Sequence, residues 1–440
     1  MMFRKEDLIK ATGAKVLRDS GSDVNFNIST DTRTICNKDI YLPLKGETFD
    51  GEKFIGKAIE SGVKAYFTTS DLLFEDADLV LKVPDTKDAY MKIAQFYLSS
   101  VNPIKVGITG SAGKTTTKEM VYSVLNYKFN THKTFSNHNN EIGFCQTVLT
   151  MPHDTQILIV EMGMRGLGEI DYITKYLEPD YAIVTNCGSA HVGRLGSLDN
   201  IAIAKCEIAN TLNSDGAFIA LNQDIIKKHL NFKGEKIYYS LNDVEVLERK
   251  PSYSKFLYKG CEYELNVEGD YNIENSLSAI NIGLKVGMTP SEIASGLKTY
   301  RPIEKRWEVV EIKGLKFIND SYNANPESMK ASVKAFIELY PNPVVVLGDM
   351  GELGTQEVQY HVQVGEYLSA LNKYVKYILV GKLAAKIGYP LQMKGFEVEY
   401  FDNNEQVALY IVENLDKSNT IFLKASRSMR FEEILEKIKE

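Results

Sequence analysis

The chain has 440 residues, enough for about three domains at roughly 150 residues each, and 51 Lys+Arg against 58 Asp+Glu leave a formal charge of −7. Hydrophobic residues make up 44% and charged residues 25%, which excludes global disorder, and no apolar run approaches the ~18 residues of a membrane helix. The acidic balance argues against a dedicated nucleic-acid binder. The N-terminal MMFRKEDLIKATG lacks the apolar stretch of a secretory signal, so a cytoplasmic location is expected. Five scattered cysteines without CxxC spacing are expected to be reduced thiols.

In chain order, strand-like runs alternate with helical patterns: VKAYFTT, KVGITG, TQILIVEMG, YAIVTNC, GAFIALN, NPVVVLGDM, YILVG and TIFLKAS. β-Branched runs bounded by Gly, Asn or Asp, with helices between them, predict an α/β protein with mostly parallel sheets. A helix ends near Tyr97, and polar LSSVNPI marks a first boundary; Pro302, in TYRPIEKRWEV, marks a second because it cannot continue a helix. The expected domains are 1–101, 102–307 and 308–440.

KVGITGSAGKTTTK runs from an apolar strand through a Gly-rich turn into a helix with Met120, Val121, Val124 and Leu125 on one face. This is the order of a phosphate-binding loop, in which glycines let backbone N–H groups converge on phosphate oxygens at a helix N-terminus. Thr109, Gly110, Ser111, Ala112, Gly113, Lys114, Thr115 and Thr116 form the expected cradle. Lys114 would reach the β- and γ-phosphates and the Thr115 hydroxyl would sit on Mg²⁺. The spacing departs from GxxxxGK[ST]: two residues separate Gly110 from Gly113 and five separate Gly107 from Gly113. A Gly-rich turn without nucleotide is the plainer alternative.

Glu161 closes the strand run TQILIVEMG, where a carboxylate at a sheet's C-terminal edge faces the ligand crevice and suits a hard cation. His191 follows another strand, in NCGSAHVG, and Lys205 lies in helical NIAIAKCEIANTL. Singly, each has a plainer reading: a helix cap, a surface histidine, a solvated charge. Further on, LKFINDSYNANP reads as a strand ending at Asp320, then a polar turn, with Pro326 opening a helix. Asp320 can accept from ribose hydroxyls and Asn323 can offer its amide to a nucleotide; an Asx-rich capping turn is the alternative. KASRSMRF gathers Lys424, Ser426, Arg427 and Arg430 after a strand. The cluster suits a carboxylate or phosphate, or is a solvated basic loop.

TGSAGKTTTKE, SNHNNEIG, EMGMR, NCGSAHVG…AKCEI, GDYNIENSLSA, NDSYNANPESM, LGDMGEL and KASRSMR, together with N-terminal STDTRTICNKDIYLPLKGETFDGEKFI, resemble the Mur ligase family over essentially the whole chain. The resemblance implies an N-terminal UDP-sugar-binding α/β domain, a central P-loop ATPase-like parallel-sheet domain and a C-terminal Rossmann-like domain. NDSYNANP and LGDMGEL match the branch that joins D-Ala-D-Ala to UDP-MurNAc-tripeptide. The DYAHTP-like turn and DNPR-like motif of the tripeptide-forming branch are missing.

By motif, the resemblance places Mg²⁺ at Thr115, Glu161 and His191 and makes Lys205 a carbamylated lysine. It assigns Asn272, Arg306, Asp320 and Asn323 to ATP. Thr32, Arg33, Lys45, Gly46, Asp50 and Gly51 take the uridine nucleotide, while Asn139, Asn140, Lys424, Ser426 and Arg427 face substrate. It implies transfer of phosphate from ATP to the tripeptide's terminal carboxylate, then attack of the D-Ala-D-Ala amine on the acyl phosphate. The expected enzyme is a monomer. Two departures stand out: AKCEI for AKGEI, and KASR for KGSR, where Ala425 disfavours a positive φ. A P-loop switch ATPase, or a sibling ligase acting on folate or another muropeptide, would carry many of the same residues.

Overall fold

The computed structural model describes residues 1–21, 24–46, 48–303, 305–371 and 373–440. The fold is mixed α/β, and all eight strand runs read from the sequence form strands. The chain divides into two compact units. Among the described residues, no helix is long and apolar enough to cross a membrane.

The first unit comprises residues 1–103, 134–156 and 175–177. Its five-stranded sheet runs Lys15–Asp19, Leu79–Lys82, Ala65–Thr68, Asp39–Tyr41, Asn27–Ser29. Only the first pairing is antiparallel. Tyr41, Ile55, Tyr66 and Val80 pack beneath it. The helix Thr86–Val101 starts at Asp85, whose carboxylate accepts from Asp88 N. It runs past Tyr97 because Leu98 is buried, and stops at Asn102, φ 53°, where Pro103 forbids another helical residue. Glu141–Leu149 packs on this helix, so 134–156 belongs to this unit although it lies within the span 102–307.

The second unit holds two sheets with open carboxyl edges. The first runs Glu235–Tyr239, Ala217–Leu221, Tyr181–Val184, Ile104–Thr109, Ile157–Glu161, Thr131–Lys133, all parallel. The phosphate-loop strand therefore lies between the strand ending in Glu161 and the strand leading to His191. The second runs Glu308–Ile312, Leu315–Asn319, Thr420–Lys424, Pro343–Gly348, Lys376–Val380, Glu397–Phe401, with only its first pair antiparallel. Chain crossover brings Thr420–Lys424 between Leu315–Asn319 and Pro343–Gly348. The NDSYNANP, KASR and LGDMGEL turns thus leave neighbouring strand ends.

A three-stranded antiparallel meander, Val244–Lys250, Tyr253–Tyr258 and Cys261–Leu265, adds to the parallel sheets expected from the sequence. Its middle strand alternates half-exposed and buried residues, so one face packs inward. Lys259 and Gly260, φ 49° and 75°, make the tight turn of its second hairpin.

An aromatic column joins the helix after the meander to the last sheet. Tyr271 meets Trp307 at 5.9 Å, Trp307 meets Phe422 at 5.5 Å, and Phe336 stacks on Phe422 and Tyr340 at 5.1 Å each. Phe336 is fully buried, so Phe336→Ala should destabilise the second unit by about 3–5 kcal/mol. Trp307 is the single tryptophan and sits in the column, so urea denaturation followed by its fluorescence measures the loss.

Candidate active site

The phosphate loop is shaped by close packing against the loop that follows Tyr181–Val184. Gly110 has φ 157°, and a Cβ there would lie 1.8 Å from Thr185 Oγ1. Gly113 has φ 78°, and its Cβ would lie 2.5 Å from Asn275 Oδ1. Both positions demand glycine, for lack of space as much as for backbone angle. Between them, Ala112 N donates to Asn186 Oδ1 (2.9 Å) and Ser111 N to Asn186 O (3.0 Å). Thr185 Oγ1 donates to Ala112 O (2.6 Å), while Ser111 Oγ donates to Gly188 O (3.0 Å).

Lys114 opens the helix Lys114–Leu125, and its Nζ donates to Gly110 O at 2.6 Å. Burial pulls its ammonium below the ordinary lysine value, opposed by the charge of Glu161. Thr115 Oγ1 lies 3.2 Å from Glu161 Oε1 and accepts from Arg306 Nη2 at 2.9 Å. The Arg306 guanidinium stacks 4.0 Å above Tyr322. Lys118 is fully buried, with Nζ 3.3 Å from Glu161 Oε2. It lies one turn beyond Lys114, a spacing that could have exposed it in KTTTK.

Thr115 and Glu161 fit Mg²⁺ in chemistry and spacing: two hard oxygens, separated by little more than the ~2.9 Å between adjacent octahedral ligands. His191, φ 67°, stands apart from them in its contacts. Its Nδ1 lies 2.6 Å from Glu352 Oε2. Among the described residues no three His, Cys, Asp or Glu side chains converge as a metal cage. The oxygens completing a magnesium shell here would come from nucleotide and water.

Lys205 lies in the helix Leu198–Cys206 and is buried. Burial, reinforced by the Lys114 charge, pulls its ammonium down to about 7. It is therefore no solvated surface charge.

The second sheet's turns reach this loop. Asn325 caps the helix Pro326–Leu339, and its Nδ2 donates to Ser111 O at 3.4 Å. Glu327 accepts from Ser189 N (3.0 Å) and Ser189 Oγ (2.9 Å). Asp320 Oδ2 is paired with buried Lys424 Nζ at 2.6 Å and accepts from Ser332 Oγ at 2.9 Å. Lys424 Nζ also donates to Asn323 O at 3.3 Å. Ser426 Oγ accepts from Gly351 N at 2.6 Å, and Arg427 pairs with Glu432. Ala425 is buried without a positive φ, so that turn needs no glycine. Asn272 is buried, with Nδ2 donating to Glu268 O at 2.6 Å.

In the first unit, parallel neighbours Asn27–Ser29 and Asp39–Tyr41 send two loops from one sheet edge. One carries Thr32 and Arg33, whose guanidinium holds the Asp31 carboxyl down at about 2 through an exposed pair. The other is a hairpin in which Lys45 bridges Asp50. Gly46 N donates to Phe49 O, and Gly51 N to Leu44 O. Asn140 caps Glu141–Leu149 through Gly143 N; Asn139 precedes it, its N donating to Asn137 O. Spacing alone pointed to none of Thr185, Asn186, Asn275, Glu327 and Glu352, because their partners are distant in sequence.

The fold and the loop define an α/β protein with a Gly-rich strand-to-helix loop at the carboxyl edge of a parallel sheet. Three family signatures match in succession: Mur ligase family, catalytic domain (26–98); Mur ligase middle domain (108–283); and Mur ligase, glutamate ligase domain (305–427). UDP-N-acetylmuramoyl-tripeptide–D-alanyl-D-alanine ligase of Bacillus subtilis is 37% identical, covering 95% of this chain and 94% of its own. Its Escherichia coli counterpart is 30% identical over 96% and 95%. A MurF crystal structure from Acinetobacter baumannii superposes with TM-score 0.90 at 25% identity, over 100% of this chain and 99% of that one. MurF ligase from Thermotoga maritima in complex with ADP gives 0.84 at 25%, over 94% and 97%. The chain belongs to the Mur ligase family, and its architecture is the family's three-domain one.

The buried lysine makes a pH prediction. Folding lowers the Lys205 value from its ordinary 10.5 to about 7. Below about pH 7 both states hold the proton and the burial penalty is felt in full. Between about 7 and 10.5 only the unfolded chain holds it, so stability rises with pH across that window. In CO₂-free buffer, Lys205→Met should remove a rise of about 1 kcal/mol per pH unit, read from urea denaturation at two pH values. Separately, Gly110→Ala should weaken ATP binding at least about tenfold. Adding Thr185→Ala, which deletes the clashing oxygen, should restore part of it; calorimetry with ATP decides.

Proposed function

We propose that this protein is an ATP-dependent ligase that adds D-Ala-D-Ala to UDP-MurNAc-tripeptide through an acyl phosphate, building a peptidoglycan precursor. The observation that carries the reading is the glycine-walled phosphate loop beside the Thr115–Glu161 pair, in a chain 37% identical to such a ligase over 95% of its length. The work is done in the cytoplasm by a monomer, without nucleic acid or membrane insertion. Residues 1–101 bind the UDP-sugar, 102–307 bind ATP, and 308–440 form the C-terminal Rossmann-like ligase domain.

A carboxylate does not condense with an amine at neutral pH, because oxide is a poor leaving group. Transfer of the γ-phosphoryl of ATP to the tripeptide's terminal carboxylate oxygen releases ADP and creates a better one. The D-Ala-D-Ala amine then attacks the acyl carbon; phosphate leaves and the amine's proton goes to solvent. Such chemistry asks the protein mainly for positioning and charge neutralisation.

Lys114 turns from Gly110 O to the β/γ-phosphate oxygens, within the cradle Thr109, Gly110, Ser111, Ala112, Gly113 and Thr116. Thr115 and Glu161, with His191, would hold Mg²⁺. When bound, the ion neutralises charge between the phosphate and the incoming carboxylate. Asn272, Arg306, Asp320 and Asn323 take the rest of the nucleotide. Thr32, Arg33, Lys45, Gly46, Asp50 and Gly51 hold the uridine diphosphate end. Asn139, Asn140, Lys424, Ser426 and Arg427 contact the peptide portions.

Lys205 is carbamylated. Its neutral amine bonds to the carbon of CO₂ and loses one proton, giving an anion with two oxygens that suit a hard cation. A lysine drawn down to about 7 supplies the neutral amine this needs.

Phosphate release distinguishes this function from a switch ATPase. With both substrates, phosphate and amide should form in equal amounts; phosphate without amide would refute the ligase reading. Lys114→Ala should lower turnover roughly 10³-fold with circular dichroism unchanged. Lys205→Ala should lose most activity and regain part with added short carboxylic acids. Full activity in that variant would remove the carbamate from the mechanism.

A further inference from the structure

One arm of the second sheet reaches the His191 loop and ends in a carboxylate that the chemistry above leaves unused. Residues 349–352 follow the strand Pro343–Gly348 and are tied down by backbone and side-chain contacts. Asp349 Oδ1 accepts from Leu383 N (3.0 Å) and Ala384 N (2.7 Å). Met350 N donates to Nε2 of buried His361 at 2.9 Å, whose Nδ1 faces Glu357 O at 2.7 Å. Gly351 N donates to Ser426 Oγ. Glu352 O accepts from Gly193 N at 3.2 Å. Its carboxylate Oε2 lies 2.6 Å from His191 Nδ1, with Arg194 Nε at 3.8 Å from the other oxygen.

The contact is tightly seated. A Cβ on Gly193 would come within 2.4 Å of Gly354 N. Glu352 and His191 are both non-glycine residues in the left-handed region, φ 63° and 67°. Such angles persist only where surrounding bonds impose them. Here those bonds hold the two strained residues against each other.

We propose that Glu352 is a positioning residue for His191. The Glu352 carboxylate, 2.6 Å from Nδ1 but off the line of a ring N–H there, favours the ring proton on that nitrogen by its charge. The Nε2 lone pair is then presented to a divalent cation. Histidines that bind metals are commonly held this way, and losing the outer partner typically weakens metal binding about 10–100-fold. The orienting group comes from the C-terminal sheet and the histidine from the central one, so His191 is set only where the 349–352 arm is docked. This inference rests on the reading of His191 as a metal-binding residue.

Mn²⁺, which shares the oxygen and imidazole chemistry, provides the probe. Free Mn²⁺ is measured by EPR during titration of the full chain with a non-hydrolysable ATP analogue. His191→Ala defines the affinity that depends on this ring. Glu352→Ala should weaken Mn²⁺ about tenfold, and should add nothing in the His191→Ala background. Glu352→Gln keeps an acceptor oxygen toward Nδ1 and should retain affinity within about threefold. It also keeps the test open if the alanine variant fails to fold. A simple latch between sheets would lower the thermal midpoint and leave Mn²⁺ affinity alone. That result, or a further loss in the double variant, overturns the inference while the metal reading of His191 stands. If His191→Ala itself leaves Mn²⁺ affinity unchanged, the metal reading falls first and this inference with it.

Discussion

The active half of the molecule depends on how closely a backbone can approach its neighbours at Gly110 and Gly113. The space a first side-chain carbon would need is already taken by Thr185 Oγ1 at one position and Asn275 Oδ1 at the other. The loop is pressed from both sides, and Thr185 also bonds its Ala112 carbonyl. Two of its N–H groups, those of Ser111 and Ala112, are held by Asn186, so the loop's backbone is already ordered. Strand order makes this possible: the loop's strand lies between the strand of Glu161 and the strand of the bracing Thr185 and Asn186.

Charge is handled in the same region by burial and pairing. Lys114 and Lys118 are drawn from solvent beside one carboxylate, Glu161, and Lys205 is buried within reach of the Lys114 charge. Three buried cations with one such anion among them would repel one another if all stayed charged. Lys205 yields, with its value near neutrality, whereas Lys118 keeps a direct ionic partner. The second sheet contributes polar contacts rather than further cations: Asn325 to Ser111, Glu327 to Ser189, and Glu352 to His191.

Much of this was legible from sequence. The eight strand runs, the buried helix face from Met120 to Leu125, and Pro326 as first helical residue follow from local pattern, and local pattern survives folding when nothing opposes it. The helix Thr86–Val101 outran the expected Tyr97 because Leu98 had a core to enter, and polar LSSV concealed that. The meander was unmarked because it lacks the unbroken apolar runs of the parallel strands, its strands alternating apolar and polar residues instead, as in CEYEL. Ala425 lies in an ordinary backbone, so the missing family glycine carried no conformational consequence.

The chemical inventory was decided by sequence alone: a phosphate loop ending in Lys114-Thr115, a carboxylate at Glu161, and polar turns after successive strands. These depend on residue type and spacing along a few turns of chain, where covalent geometry limits the outcome. Only tertiary structure decided which of them meet. Thr115 reached Glu161 through adjacent parallel strands, and Arg306 reached Thr115 across 191 residues. His191 met Glu352 because a crossover placed the LGDMGEL turn at the neighbouring sheet's edge. Such pairings rest on strand order and on the packing of one sheet's turns against another's, which no local spacing records.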